Sequence, residues 1–257
     1  MSTLHLDQIA AGLAFIGARV GGLMIFAPFF GSASMPMRIK AGFVVAVTLL
    51  LYPVSAIPRI PFEPWTWARL LLSEAVVGIL FGLAAQFVFD AAQMAGQILG
   101  VQMGFSLVSI IDPQTQADTP VLSIFHQMIV LLIFLQMDVH HWLLRGVAAS
   151  FAYLPPGSAG LTLSATSEVL RAAGGIWLAG VQIAAPVLLA TMLADVGLGF
   201  LGKASPSLPV LFFGLSIKSV LGLVVLVAGM ATWPRFFERH FVDAIAVGER
   251  LLHLARS

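Results

Sequence analysis

An all-α membrane fold is what this sequence predicts, and three observations carry it. Of its 257 residues, 59% are hydrophobic and only 10% charged, and mean hydropathy is +0.98. A soluble domain holds roughly 45–50% apolar and about 25% charged residues. The apolar residues lie in six continuous runs, not in the alternating ten-residue segments of a membrane barrel. Each run reaches the length of about 17–25 residues that a helix needs to cross the hydrocarbon core, the second and fourth narrowly. The same composition excludes other classes. Disorder requires low hydrophobicity and high charge. A chain with no cysteine has neither a disulfide framework nor a thiolate metal site. Thirteen basic against twelve acidic residues leave a net charge of +1, with no basic stripe for nucleic acid.

The runs follow in order. The first, residues 9–30, is interrupted by Arg19. The second is 41–57. The third, 70–89, contains Glu74 and Gln86. The fourth is 121–137, the fifth 176–201 with Asp195, and the sixth 208–233 with Lys218. After Trp233-Pro234 the pattern changes. Phe237, Phe241, Ala244, Ile245, Gly248 and Leu252 recur at helical spacing, with charges on the other side. That predicts an amphipathic helix on a membrane surface, on a partner or on its own subunit. The expected organisation is a helical membrane domain over 1–233 and an amphipathic C-terminal helix over 234–257. Residues 1–10 carry no Lys or Arg and Arg19 sits inside the first run, so a cleavable secretory signal is not expected. Loop charges favour a cytoplasmic C-terminus. Eight Arg fall on its side (Arg59, Arg69, Arg145, Arg171, Arg235, Arg239, Arg250, Arg256), against Arg38, Lys40 and Lys203 on the other.

Four groups of residues are candidates for a role. Small residues repeat every fourth position at Gly17–Gly21, at Gly78–Gly82 and along Ala92, Gly96, Gly100 and Gly104. Such ladders let helix backbones approach closely where no hydrophobic force drives them together. Gly96 and Gly100, with Gln102 and Met103 after them, form a packing and hinge group. Arg19, Glu74, Asp90, Asp195 and Lys218 lie in or beside apolar runs. At membrane depth each costs roughly 2.5–3.5 kcal/mol, so Arg19, Glu74, Asp195 and Lys218 are expected to pair or to face water. An ion path is the sharper reading, structural pairing the plainer one. His140 and His141 are neighbours whose side chains leave a helix about 100° apart and do not easily share a metal. The His-Glu-x-x-His helix and the Gly-x-Ser-x-Gly elbow are both absent from the sequence. Neither a metal, a cofactor nor a catalytic activity is expected.

The fourth group is the segment 102–120. It sets Met103, Phe105, Leu107, Val108, Ile110 and Ile111 ahead of Asp112-Pro113, and Pro113 turns Asp112 away from helical geometry. An irregular apolar segment at a membrane helix end cannot face lipid, because its backbone groups would go unsatisfied. It must pack inside protein or line a cavity, as a packed re-entrant loop or as a plug.

These residues carry a resemblance. Gln102-Met103-Gly104-x-Ser106, then Asp112-Pro113 and Pro120-Val121-Leu122, resemble the central signature of the FliR family, which serves flagellar and virulence type III secretion. Further matches follow in order along nearly the whole chain. They are Arg19, Pro28-Phe29-Phe30, Pro36, Arg38 and Lys40; Glu74 and Gly78; His141-x-Leu143-Leu144; Ser150-Phe151; Leu154-Pro155-x-Gly157; Pro206-x-Leu208; and Gly214 with Lys218. Departures fall in the last hairpin, where Ser207, Pro209 and Ser216 replace the residues usual in the family.

The resemblance implies a non-enzymatic export-gate subunit in the bacterial inner membrane, at the flagellar basal body. Its implied partners are FliP-like, FliQ-like, FlhB-like and FlhA-like proteins, and unfolded substrates pass through the assembled channel. It also implies that Gly104, Phe105, Ser106, Leu107, Val108, Ile110, Ile111, Asp112 and Pro113 form the plug. A greasy plug closes a pore by exclusion, and Gly104 is suited to be its hinge. The competing readings are a virulence-system counterpart and a stand-alone secondary transporter. The transporter would show related halves with broken helices at matching positions.

Overall fold

The computed structural model describes residues 2–31, 35–55, 63–105, 121–157, 163–205 and 210–254. Every regular element among them is helical: α1 Ser2–Phe26, α2 Met37–Leu51, α3 Pro64–Gln102, α4 Val121–Gln136, α5 Val139–Tyr153, α6 Leu163–Ala204, α7 Val210–Gly229 and α8 Trp233–Leu254. Short 3-10 turns at Tyr52–Val54 and Met230–Thr232 follow α2 and α7. The sequence explains most boundaries. The carbonyl of Pro36 accepts the first amides of α2, from Ile39 and Lys40. Pro53 tightens the end of α2 into its 3-10 turn. Pro64 opens α3 and Pro234 lies in the first turn of α8, where a missing N–H costs nothing.

Among the described residues, four stretches are long and apolar enough to cross a membrane: Gln8–Phe26, Pro64–Gln102, Leu170–Ala204 and Phe213–Gly248. A fifth arises if α4 and α5, bent by 63° at their junction, act as one broken span. This sharpens the expectation of six runs. The second run folds as a helix of 15 residues, about 22 Å at 1.5 Å per residue, against a hydrocarbon core of about 30 Å. The third and fifth runs are parts of much longer helices, 39 and 42 residues. At roughly 58 and 63 Å, these exceed the bilayer core even at a tilt of about 40°. Helix α5 is announced by no apolar run. Its buried Val139, Leu143, Val147, Ser150 and Phe151 form one stripe at helical spacing, with His141 and Arg145 outside it.

The chain divides into two units, 1–87 with 134–174 and 240–257, and 88–133 with 175–239. The boundaries fall inside α3, α4, α6 and α8. In the first unit Ile16, Val20, Leu23 and Met24 of α1 pack with Val77, Phe81, Val147 and Phe151. Here α1 and α3 touch backbone to backbone. A Cβ on Gly78 would strike the carbonyl of Arg19, and one on Gly22 would strike that of Ala75. The α1 residue that permits this is Gly22, not Gly21 of the expected ladder, because a Cβ on Gly21 would meet nothing within 4 Å. In the second unit Gly96 lies against the backbone of Leu122 and Ser123, and Ser123 Oγ donates to the carbonyl of Gln93. Pro186 sits inside α6, where it removes one helical hydrogen bond. Helix α8 buries Trp233, Phe237 and Phe241 completely or nearly so, so at these positions its apolar face packs on its own chain.

Candidate functional site: the end of α3 and the buried Arg19 pair

Helix α3 stops at the start of the expected plug. Gln102 is its last helical residue. The amide of Met103 still reaches the carbonyl of Leu99 at 2.8 Å, and that of Gly104 reaches Val101 at 3.1 Å. Gly104 then takes φ +85°, the left-handed geometry that closes many helices and that glycine adopts without penalty. A Cβ at Gly104 would collide with the side chain of Leu215 on α7. Phe105 follows, partly exposed. Ser106, Leu107, Val108, Ile110, Ile111, Asp112 and Pro113 lie outside the described residues.

This helix end is fastened on both sides within the second unit. Met103 is fully buried and its side chain lies against Gly222 of α7. Ser219 Oγ lies 2.7 Å from the carbonyl oxygen of Met103 and 2.9 Å from that of Leu215, with one proton to share between them. Gln102 Nε2 donates to Asp195 Oδ2 of α6 at 3.2 Å. Lys218 Nζ donates to the same oxygen at 2.9 Å. Asp195 thus joins α3, α6 and α7 at one polar point, beside an open cleft lined by Leu198, Gly202, Gly214 and Leu215. Gly100 is buried one turn earlier on α3. The pairing brings two charges from separate apolar runs together, and the carboxylate stays partly exposed on the chain.

The other two charges meet in the first unit. Arg19 and Glu74 are both 0% exposed. Arg19 Nε donates to Glu74 Oε2 at 2.6 Å, Nη1 to Ser150 Oγ at 2.7 Å and Nη2 to the carbonyl of Leu154 at 3.0 Å. The amide of Gly157 donates to the remaining Glu74 oxygen at 2.7 Å. Phe151 offers its ring face 4.1 Å from the guanidinium carbon. Each terminal nitrogen and each carboxylate oxygen therefore has a partner, which is the condition for burying an ion pair. The arrangement ties α1 and α3 to α5 and the turn after it. Ser150, Leu154 and Gly157 carry no charge, so hydropathy does not single them out. Their only signal is the ordered motif set in which they stand. Asp90 lies half-buried on α3.

A family model described as bacterial export proteins, family 1, matches residues 10–244. The flagellar biosynthetic protein FliR of Escherichia coli strain K12 is 30% identical over 225 residues, covering 88% of this chain and 86% of that protein. The chain belongs to the FliR family of bacterial export proteins. Other relatives in the FliR family include the flagellar biosynthetic protein FliR of Bacillus subtilis strain 168, 29% identical over 223 residues and 85% of each chain. The secretion system apparatus protein SsaT of Salmonella typhimurium is 26% identical over 244 residues, 92% of this chain and 91% of that one. FliR-family proteins are non-enzymatic. With its long apolar helices, this member is a membrane protein.

Proposed function

We propose that this chain is a structural and gating subunit of the core export gate of the flagellar type III secretion apparatus. It works in the bacterial inner membrane at the basal body, with FliP-like, FliQ-like, FlhB-like and FlhA-like partners. The observation that carries the gating part is the fastened end of α3. Gly104 stops the helix in left-handed geometry, and Ser219 and the Lys218-paired Asp195 hold its end. The chain that leaves this anchor, 105–113, is the greasy segment ending in Asp112-Pro113. A fixed base with an apolar extension suits a plug that closes a passage for unfolded polypeptide by excluding water. The second support is the ordered likeness to flagellar FliR proteins over most of the chain.

The virulence-system counterpart remains a second reading, because the SsaT match covers 92% of this chain. The secondary transporter is disfavoured by the Arg19–Glu74 cluster. Its hydrogen-bonding capacity is met inside the protein, which suits a clamp better than a relay. Deleting residues 105–111 in the chain co-expressed with its neighbouring export genes tests the plug. The inner membrane should become leaky to ions and small solutes while the complex still assembles. Unchanged permeability in an assembled complex would overturn it.

A further inference from the structure

Where α4 gives way to α5, one acidic side chain and two imidazoles converge. Asp138 takes φ +55°, a left-handed conformation that costs a residue other than glycine of order 1–3 kcal/mol, although Asp tolerates it better than most. That backbone turn faces its carboxylate toward the first turn of α5. Asp138 Oδ1 lies 3.1 Å from His141 Nδ1 and 3.9 Å from His140 Nε2. The two rings, expected to diverge, sit with centroids 4.1 Å apart. The divergence holds for Cβ directions. Two imidazoles at the free first turn of a helix still lean together, and one carboxylate oxygen lies within 3.9 Å of a nitrogen of each.

The nitrogen that faces outward on His140 is set by packing. Its Nδ1 is buried without a hydrogen-bond partner, with the Phe134 ring 6.1 Å away. This leaves Nε2 on the Asp138 side. One ligand atom from each of the three residues lies within 4.8 Å of the others. Tetrahedral ligands on zinc, at bonds of about 2.0–2.1 Å, stand about 3.3 Å apart, between the two distances to Asp138. Two imidazoles and one carboxylate suit zinc and its neighbours among the divalent transition metals. Calcium and magnesium are bound by oxygen ligands.

We propose that Asp138, His140 and His141 form a site for a divalent transition-metal ion of the zinc class, with water in the fourth position. Both Asp138 and His141 are exposed on the chain, so an ion reaches them without opening the fold. Its role is to hold the left-handed turn of Asp138 against the first turn of α5. No reaction at the ion is invoked.

The test uses the full chain carrying an affinity tag without histidine, purified in detergent and dialysed against zinc chloride. The wild type should retain about one zinc ion more per chain than His140→Gln/His141→Gln. Asp138→Asn, which replaces a charged ligand by a neutral amide, should weaken binding. Because His141 is exposed, His141→Gln alone provides a variant whose fold is not at stake, and it should lose affinity as well. Cobalt(II) should give visible bands of low-symmetry coordination in the wild type and lose them in the variants. The remaining histidines are common to every variant and cancel as background. Equal zinc uptake by wild type and the double variant, or undiminished binding by Asp138→Asn, would overturn the proposal.

Discussion

Arg19 shows how one side chain becomes tolerable inside an apolar bundle. Its guanidinium is the right shape for three separate acceptors, and Glu74, Ser150 and the Leu154 carbonyl supply them. Removing one partner of a buried pair leaves an uncompensated charge, at a cost of about 3–5 kcal/mol. Glu74→Ala and Arg19→Ala should each sharply lower the thermal stability of the purified protein and its level in membranes. Replacing both by methionine should be milder than either, because no charge is left stranded. A double-mutant cycle on unfolding midpoints checks this, and additive losses would contradict the clamp. Sequence reading finds Arg19 and Glu74 by their cost within apolar runs. It cannot say that they meet each other rather than Asp195 or Lys218, because they stand 55 positions apart and hydropathy carries no pairing information.

At the scale of elements, glycines decide which helices touch. Gly22 and Gly78 bring α1 and α3 into backbone contact, while Gly21 faces open space. Gly22→Ala and Gly78→Ala should each destabilise by about 1–3 kcal/mol, the usual cost of overpacking. Gly21→Ala should be nearly neutral. A thermal-shift series over the three distinguishes this geometry from ladder spacing alone, which favours Gly21. Gly104 stands at a different kind of boundary. There an added side chain meets both the left-handed backbone and Leu215. Gly104→Ala should therefore loosen the end of α3, read as faster proteolysis between residues 102 and 120. Helix α5 teaches the converse lesson. Its stripe of Val139, Leu143, Val147 and Phe151 is plain at helical spacing, yet a search for long apolar runs passes over it because polar residues interrupt the run.

Many large apolar side chains stay exposed among the described residues. Trp177 on α6 is 70% exposed and Phe200 72%, and on α7 Val220 and Val224 are exposed by about two thirds. Only 17% of the apolar window in Phe213–Gly248 is buried within the chain. Contiguous apolar faces of this kind meet lipid or other subunits. Because the sequence has no cysteine, a single Cys at Val224 or Phe200 can carry a photo-crosslinker without background. Expressed with its neighbouring export genes, the chain should crosslink to another subunit from at least one of these positions. Crosslinks to lipid alone at every exposed α6 and α7 position would show that the surplus faces the bilayer.

Composition and run length by themselves determined that this is a helical membrane protein without thiol chemistry, since partition between water and hydrocarbon depends on residue type summed along a segment. The ordered motifs determined its kinship and marked the segment after Gly104. Only the tertiary structure decided that α3 and α6 outrun a bilayer, that Arg19 is answered by Glu74 and Asp195 by Lys218, and that Gly22 makes the contact Gly21 does not. It alone brought one Asp138 carboxylate oxygen within 3.9 Å of both imidazoles. These outcomes depend on direction and distance between residues remote in sequence or freed from regular geometry at a helix start. A one-dimensional sum of hydropathy contains neither.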